Sequence, residues 1–188
     1  MANDRAASRE ARIDALLDRQ DIYDCLTRMQ RGTDRFDRDL FLSAFHEDAI
    51  IAAGPFVGTA AELYDWSSKL QSMAHKATLH GLLNHHCELD GDTAHAETYY
   101  LYIAANPDDT NLLAAGRYID RFDRRGGAWR VAARNTVIEW SIVQPALDNP
   151  LNAVQDILAN GVAARGPDDL SYRRPFENLR ARFVPPLG

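Results

Sequence analysis

The feature that most constrains the fold is a long run of strand-like sequence that begins near Lys76 and is divided by three turn signals. The first signal is Asp90-Gly91-Asp92, the second lies at 107–110, and the third is Arg125-Gly126-Gly127. Turns this short join antiparallel neighbours, because a parallel connection needs a crossover of a dozen or more residues. The sequence therefore predicts a meander of four antiparallel strands.

The segment before the strands has helical periodicity. Apolar residues recur at about 3.6-residue spacing over 8–31, and Gly32 follows, where a left-handed residue often ends a helix. A short second helix and a short strand at 49–52 come next. Thr59 and Glu62 have the spacing of a capping box, which predicts the start of a third helix. Its expected core-facing residues are Leu63, Trp66, Leu70 and Met73.

Three helices followed by a long sheet give an α+β chain. Helices packed on one face would force strong curvature, so we expect a conical barrel of a curved antiparallel sheet packed by three N-terminal helices. Most prolines lie from Pro145 onward, together with a short helical pattern and a polar tail. We therefore expect the cone to span 1–144 and a C-terminal extension, acting as a lid or a subunit contact, to span 145–188.

Composition excludes several classes of function. The formal net charge of -6 argues against a nucleic-acid binder, because neutralising phosphates requires a basic face. The two cysteines form no disulfide framework. No apolar run approaches the ~20 residues of a membrane span, and the first residues have no apolar signal core. We expect a cytoplasmic protein that binds neither nucleic acid nor membrane.

Two residues far apart in the chain suggest a proton-transfer site. Asp34 lies where the first helix ends, and His80 lies near the start of the first long strand. A carboxylate can orient an imidazole, which exchanges protons near neutral pH. If the fold joins them, we expect an enzyme that needs no metal and no cofactor. If it does not, they are a surface acid and a structural histidine.

Clustered histidines also permit a metal interpretation. On a regular strand His80 and His86 share one face, and His85 lies on the other. A catalytic zinc needs three protein ligands and a water molecule, and the sequence dictates no third ligand. We therefore expect no metal.

Short motifs follow one another in a fixed order over roughly residues 10–142. They are Arg19-Gln20-Asp21-Ile22-Tyr23-Asp24-Cys25-Leu26, Arg31-Gly32-Thr33-Asp34, Phe45-His46-Glu47-Asp48-Ala49, Gly54-Pro55-Phe56-Val57-Gly58, Thr78-Leu79-His80, Glu88-Leu89-Asp90-Gly91-Asp92, Ala96-Glu97-Thr98-Tyr99, Gly116-Arg117-Tyr118-Ile119-Asp120, and Gly127-Ala128-Trp129-Arg130-Val131 with Arg134 and Trp140. This ordered set resembles the SnoaL-like branch of the nuclear transport factor 2-like superfamily.

The resemblance implies a conical fold with a pocket at its open end. The family includes cofactor-independent lyases and isomerases, among them scytalone dehydratase, hexachlorocyclohexane dehydrochlorinase and bile-acid dehydratases, and also non-catalytic modules. In these enzymes an aspartate that ends the first helix pairs with a histidine that opens the sheet. Asp34 and His80 match those positions, and Arg134 matches an arginine of the dehydrochlorinase pocket.

The chain also departs from these relatives. Many of them carry Asp-Asp-His-Gly where this chain has Ile51-Ala52-Ala53-Gly54, and the bile-acid enzymes carry a catalytic tyrosine where this chain has Met29. We therefore expect a more apolar pocket. Its expected substrate-binding residues are Met29, Tyr99, Tyr118 and Trp140.

The expected function is a cofactor-independent lyase of aromatic catabolism that acts on a small apolar, aromatic or polycyclic molecule. His80 would remove a proton, Asp34 would orient and balance it, and Arg134 would stabilise the developing anion. Elimination of water is the first choice, and retro-aldol release of an aldehyde such as formaldehyde from an aromatic diol is the second. The alternative of another class is a non-catalytic ligand-binding or oligomerisation module. An open sheet face also predicts a homo-oligomer, either a dimer or a trimer.

Overall fold

Three helices flank a six-stranded sheet in this computed structural model, which describes residues 8–147, 149–154, 156–178 and 180–184. The helices are α1 Arg9–Arg35, α2 Arg38–Leu42 and α3 Ala60–Ala74. The strands are β1 Phe45–Ala53, β2 Phe56–Thr59, β3 Ala77–Asp90, β4 Thr93–Ala105, β5 Thr110–Arg125 and β6 Ala128–Pro145. Short 3-10 turns follow at Pro150–Ala153, Gly166–Asp168 and Leu170–Tyr172.

The sheet has the strand order β2-β1-β6-β5-β4-β3. Strands β3 to β6 form the predicted antiparallel meander. Strand β1 pairs in parallel with β6, so the sheet is mixed and not wholly antiparallel. It curves around the helices and stays open at its edges. The predicted α+β cone class is therefore confirmed, with one parallel pair added.

Helix α1 ends four residues later than predicted. It ends where Phe36 adopts a left-handed conformation at φ 55°. Gly32 does not end the helix but is needed for packing, because a Cβ atom there would lie 2.5 Å from the backbone nitrogen of Phe41. The missing side chain allows α1 and α2 to approach closely.

Helix α3 begins where the capping box predicted, but its inner face differs from the expected one. Trp66, Leu70 and Met73 are exposed. Leu63 points inward as expected, but Ser67 and Gln71 take the other inward positions, and all three residues line the cavity of the cone. Their spacing of four residues keeps them on one face of the helix.

Removing the hydroxyl of Thr59 should weaken the start of α3. Thr59 Oγ1 accepts a hydrogen bond from the backbone of Glu62, whose carboxylate accepts one in return from the Thr59 backbone. We expect Thr59→Ala to lower the free energy of unfolding by about 1 kcal/mol in urea titrations. Ser68→Ala, at a half-buried position in the middle of α3, is the control. An equal loss in both variants would contradict the capping role.

Candidate active site

The fold brings Asp34 and His80 into contact. The Nδ1–H of His80 donates to Asp34 Oδ1 at 2.8 Å, and the backbone N–H of His80 donates to Oδ2 at 2.8 Å. The Asp34 side chain is 9% exposed, and the His80 side chain is 12% exposed. This two-point contact fixes the orientation of the ring and keeps the proton on Nδ1. Nε2 is left as the basic atom, and no described residue hydrogen-bonds to it.

The electrostatics of Asp34 favour its charged form. Burial alone would raise the pKa of this carboxyl, but the hydrogen bonds and the charge of His80 outweigh burial and hold the pKa below its ordinary value of 3.8. Asp34 is therefore ionised at neutral pH. It can balance the charge of an imidazolium formed at His80.

Replacing Asp34 with asparagine should destabilise the protein more at neutral pH than in acid. Because the folded-state pKa lies below 3.8, the ionised carboxylate contributes stability above that pH, and the contribution is lost as pH falls through the folded-state pKa. Urea titrations of both proteins should show a difference in unfolding free energy that shrinks in acid. A difference that grows as pH falls would contradict the assignment.

A bulge in β3 decides which way His80 faces. His85 pairs with Thr98, but Leu82 pairs with Tyr100, so Leu83 and Asn84 together lie opposite a single residue. Strict alternation from the hairpin would place His80 on the outer face of the sheet. The extra residue reverses the alternation and turns His80 inward.

The same bulge changes the faces predicted for the other histidines. His85 shares the inner face with His80, where its Nδ1 lies 2.8 Å from the Thr98 hydroxyl. His86 lies on the outer face and is exposed. The expectation that His80 and His86 share a face is therefore wrong. Among the described residues, no group of three or more His, Cys, Asp or Glu side chains is arranged to hold a metal.

A second bulge, at Glu139 in β6, moves Trp140 out of the site. Thr136 and Ile138 face the cavity, so regular alternation predicts Trp140 there too. However, Ile138 pairs with Gly116 and Trp140 with Ala115, so Glu139 is an extra residue. Ser141 faces the cavity instead, and Trp140 is exposed on the outer face.

Tyr99 also lies outside the predicted pocket. Buried and exposed residues alternate along β4, and Tyr99 is on the exposed face. Its neighbours Tyr100 and Tyr102 line the cavity in its place. The pairing of His80 with Tyr102 brings their rings to a centroid distance of 4.6 Å. The signal for this was the alternation of Thr98, Tyr100 and Tyr102, which sequence reasoning did not use.

The inside of the cone holds a cavity of about 390 Å³. Of the residues predicted for the site, Met29, His80, Tyr118 and Arg134 line it. Most of its wall is apolar, with contributions from Phe41, Phe45, Leu63, Leu112 and Ile138. A cavity of this size fits a small organic molecule, with polar groups at a few places to orient it.

Arg134 is tied to an aspartate that sequence reasoning gave no role. Its Nε and Nη2 donate to the two carboxylate oxygens of Asp120 at 2.6 and 2.7 Å, and the side chains are 4% and 0% exposed. Burial opposes the charged form of Arg134, but Asp120 outweighs burial and raises the pKa. The cross-strand pairing of Asp120 with Arg134 explains the contact. Nη1 of Arg134 contacts Sδ of Met29, and the guanidinium lies 4.0 Å from the Tyr118 ring centroid.

The SnoaL-like domain family matches residues 14–135 of the chain. The chain belongs to this family. The predicted resemblance to the SnoaL-like branch of the nuclear transport factor 2-like superfamily is thus confirmed. A comparison with curated proteins found no match. In the described ranges of this family member, no helix is both long and apolar enough to cross a membrane.

Solved structures with similar folds agree with this assignment. A hexachlorocyclohexane dehydrochlorinase, LinA type 2, is 19% identical with a TM-score of 0.67, and the match covers 73% of this chain and 97% of the other. LinA type 3 from Novosphingobium barchaimii LL02 is 19% identical with a TM-score of 0.66, covering 72% and 95%. A candidate scytalone dehydratase from Novosphingobium aromaticivorans is 17% identical with a TM-score of 0.61, covering 68% and 88%. At these identities the likeness establishes the fold.

Proposed function

We propose that this SnoaL-like protein is a cofactor-independent lyase of aromatic catabolism, with His80 as its base. The observation that carries the proposal is the buried Asp34–His80 contact at the wall of an apolar cavity. The dehydrochlorinase and candidate dehydratase folds support an elimination reaction. The substrate is a small, mostly apolar molecule, aromatic or polycyclic.

The proposed reaction is elimination of water. Nε2 of His80 takes a proton from a substrate carbon, and the C–H electron pair forms the double bond as the neighbouring C–O bond breaks. The leaving hydroxide takes the proton back from the imidazolium and departs as water. Asp34 stabilises the imidazolium, and Nη1 of Arg134 lies where it can stabilise developing negative charge.

A test of this proposal is conversion of pooled aromatic and steroid alcohols, followed by mass spectrometry. Loss of water is the expected change, and formaldehyde in the medium would instead indicate retro-aldol cleavage by the same base. A double variant with Asp34→Asn and His80→Ala is the control. Equal conversion by the double variant would contradict the proposal, and absence of conversion of every pool would favour a binding module.

We also propose that the protein is a homo-oligomer whose copies meet on the outer face of the sheet. Leu79 pairs with Ile103, Ile103 with Leu113, and Leu113 with Ile142, so an apolar row crosses four strands. Leu79, Ile103 and Ile142 are exposed, which supports a covering second copy. Light scattering should give the mass of a dimer or trimer, and of a monomer for Ile103→Lys with Ile142→Lys. A monomeric wild type would contradict this.

The C-terminal extension is proposed to act as a lid beside the dyad. Ser171 accepts a hydrogen bond from Arg31 at 3.0 Å, and the Tyr172 hydroxyl donates to Asp37 at 2.7 Å. Arg165 lies 3.9 Å from the ring centroid of Phe36. These contacts place the extension against the end of α1, next to Asp34, which supports control of access to the site.

A further inference from the structure

A separate cavity of about 450 Å³ lies outside the cone, between α1, β3 and the C-terminal extension. We call it the outer groove. Gln30 and His80 line both the outer groove and the cavity of the cone, so the two spaces adjoin at these side chains. Asp169 and Ser171 form the part of the wall that belongs to the extension. The family match ends at residue 135, so this part of the wall lies outside the SnoaL-like domain.

The two aspartates that line the outer groove already have partners. Oδ2 of Asp169 lies 3.5 Å from Nη1 of Arg35, which also lines the groove. Both oxygens of Asp34 accept hydrogen bonds from His80 at 2.8 Å. Neither carboxylate forms an ion pair with Arg31, the other arginine of the groove.

Arg31 therefore has no counter-charge. Its side chain is half-buried, and its Nη2 donates to the backbone carbonyl of Ser171 at 3.0 Å. The guanidinium also hydrogen-bonds to the Tyr172 hydroxyl and lies 4.6 Å from the centroid of that ring. No carboxylate in the described ranges forms an ion pair with Arg31. A guanidinium has more N–H donors than a carbonyl and a hydroxyl can use, so Arg31 can also bind an anionic oxygen.

The rest of the outer groove offers apolar surface. Tyr23 lies two helical turns before Arg31 on the same face of α1, and Leu82 lines the groove from β3. Both side chains are only partly buried, so each has apolar surface that a ligand can cover. The groove thus combines one unpaired positive charge with an apolar wall. A dianion such as phosphate fits less well, because Asp34 and Asp169 would repel its second charge.

We propose that the outer groove binds a small carboxylic acid with an aromatic or aliphatic body, whose carboxylate contacts Arg31 and whose body covers Tyr23 and Leu82. The ligand lies between α1 and the extension, and it holds the extension against α1. This inference is independent of the proposed function, because the groove is separate from the cavity of the cone and binding requires no proton transfer at His80.

Calorimetry with hydrocinnamate, its neutral amide and inorganic phosphate tests the inference. We expect hydrocinnamate to bind about fivefold to tenfold more tightly than the amide, and phosphate to bind more weakly than hydrocinnamate. Arg31→Gln should reduce the affinity for hydrocinnamate to that for the amide. Thr27→Asp adds a negative charge at an exposed position that lines the groove, and it should weaken hydrocinnamate more than the amide. Thr27→Asn, its neutral control, should bind both like the wild type.

Each of four results would overturn the inference. The first is no binding of hydrocinnamate, and the second is equal binding of the acid and the amide. The third is a preference for the acid that persists in both Arg31→Gln and Thr27→Asp, which would place the acid inside the cone beside Arg134. The fourth is phosphate binding as tight as that of hydrocinnamate, which would show a simple anion site without an apolar component.

Discussion

His80→Ala is expected to lower kcat/KM by about 10²–10⁴-fold, the range of a positioned acid-base group. The reason is that Nε2 is the basic atom of a ring whose other nitrogen is committed to Asp34. Rates would be measured on the first converted substrate, with thermal unfolding to show that the fold persists.

The matched control is His86→Ala. His86 belongs to the same strand but lies on its outer face, exposed, beside Glu88 at 3.2 Å. It should leave kcat/KM unchanged. Equal losses in the two variants would indicate that damage to β3, and not loss of the base, explains the effect.

Asp120→Asn is expected to lower the free energy of unfolding by about 3–5 kcal/mol, because it leaves the Arg134 charge buried without a counter-charge. Asparagine keeps the shape of the side chain, but it removes the charge and replaces one of the two oxygens that accept from Arg134 with an NH2 donor. Urea titration measures the loss. While both partners are present, the cost of desolvating the two charges offsets much of their attraction. Removing one partner is therefore far more destabilising than removing both.

Two further variants make this prediction specific. Asp120→Leu combined with Arg134→Met removes both charges and should be markedly more stable than Asp120→Asn. Asp92→Asn breaks the pair that Asp92 makes with Arg124, where the Asp92 side chain is exposed, and should have little effect. A small loss in Asp120→Asn would contradict the buried-pair explanation.

The parts of the fold that were predictable from sequence depend on local chemistry. The hairpin at Asp90-Gly91-Asp92 and the capping box at Thr59 are set by residues close together in the chain, and both are present. The Asp34–His80 contact was predictable because each residue lies at the end of an element whose type was clear. Once α1 packs on β3, the two ends meet.

The parts that were not predictable depend on pairing between distant residues. Regular alternation places Trp140 inside the cavity, and only the pairing of β6 with β5 shows that Glu139 is an extra residue. The exposure of Trp66, Leu70 and Met73 was not predictable for the same reason. Which face of α3 points inward depends on the cavity that the helix borders. The sequence did not indicate that Gln30 lines the cavity, since a polar residue on an amphipathic helix is normally solvated.

The two bulges have a consequence for how the length of this chain can vary. Because each bulge holds one residue that pairs with nothing opposite, losing Asn84 or Glu139 would leave His80 and Ser141 on the inner face. The same holds for Ala132 of β6, which has no partner opposite because Arg121 pairs with Ala133 and Phe122 with Val131. Loss of a regularly paired residue of β3 or β6 would reverse every side chain between that point and the next turn. We therefore expect gaps in alignments of related sequences to fall at these bulge positions, and natural insertions there to bend the strands without exchanging the side chains that line the cavity.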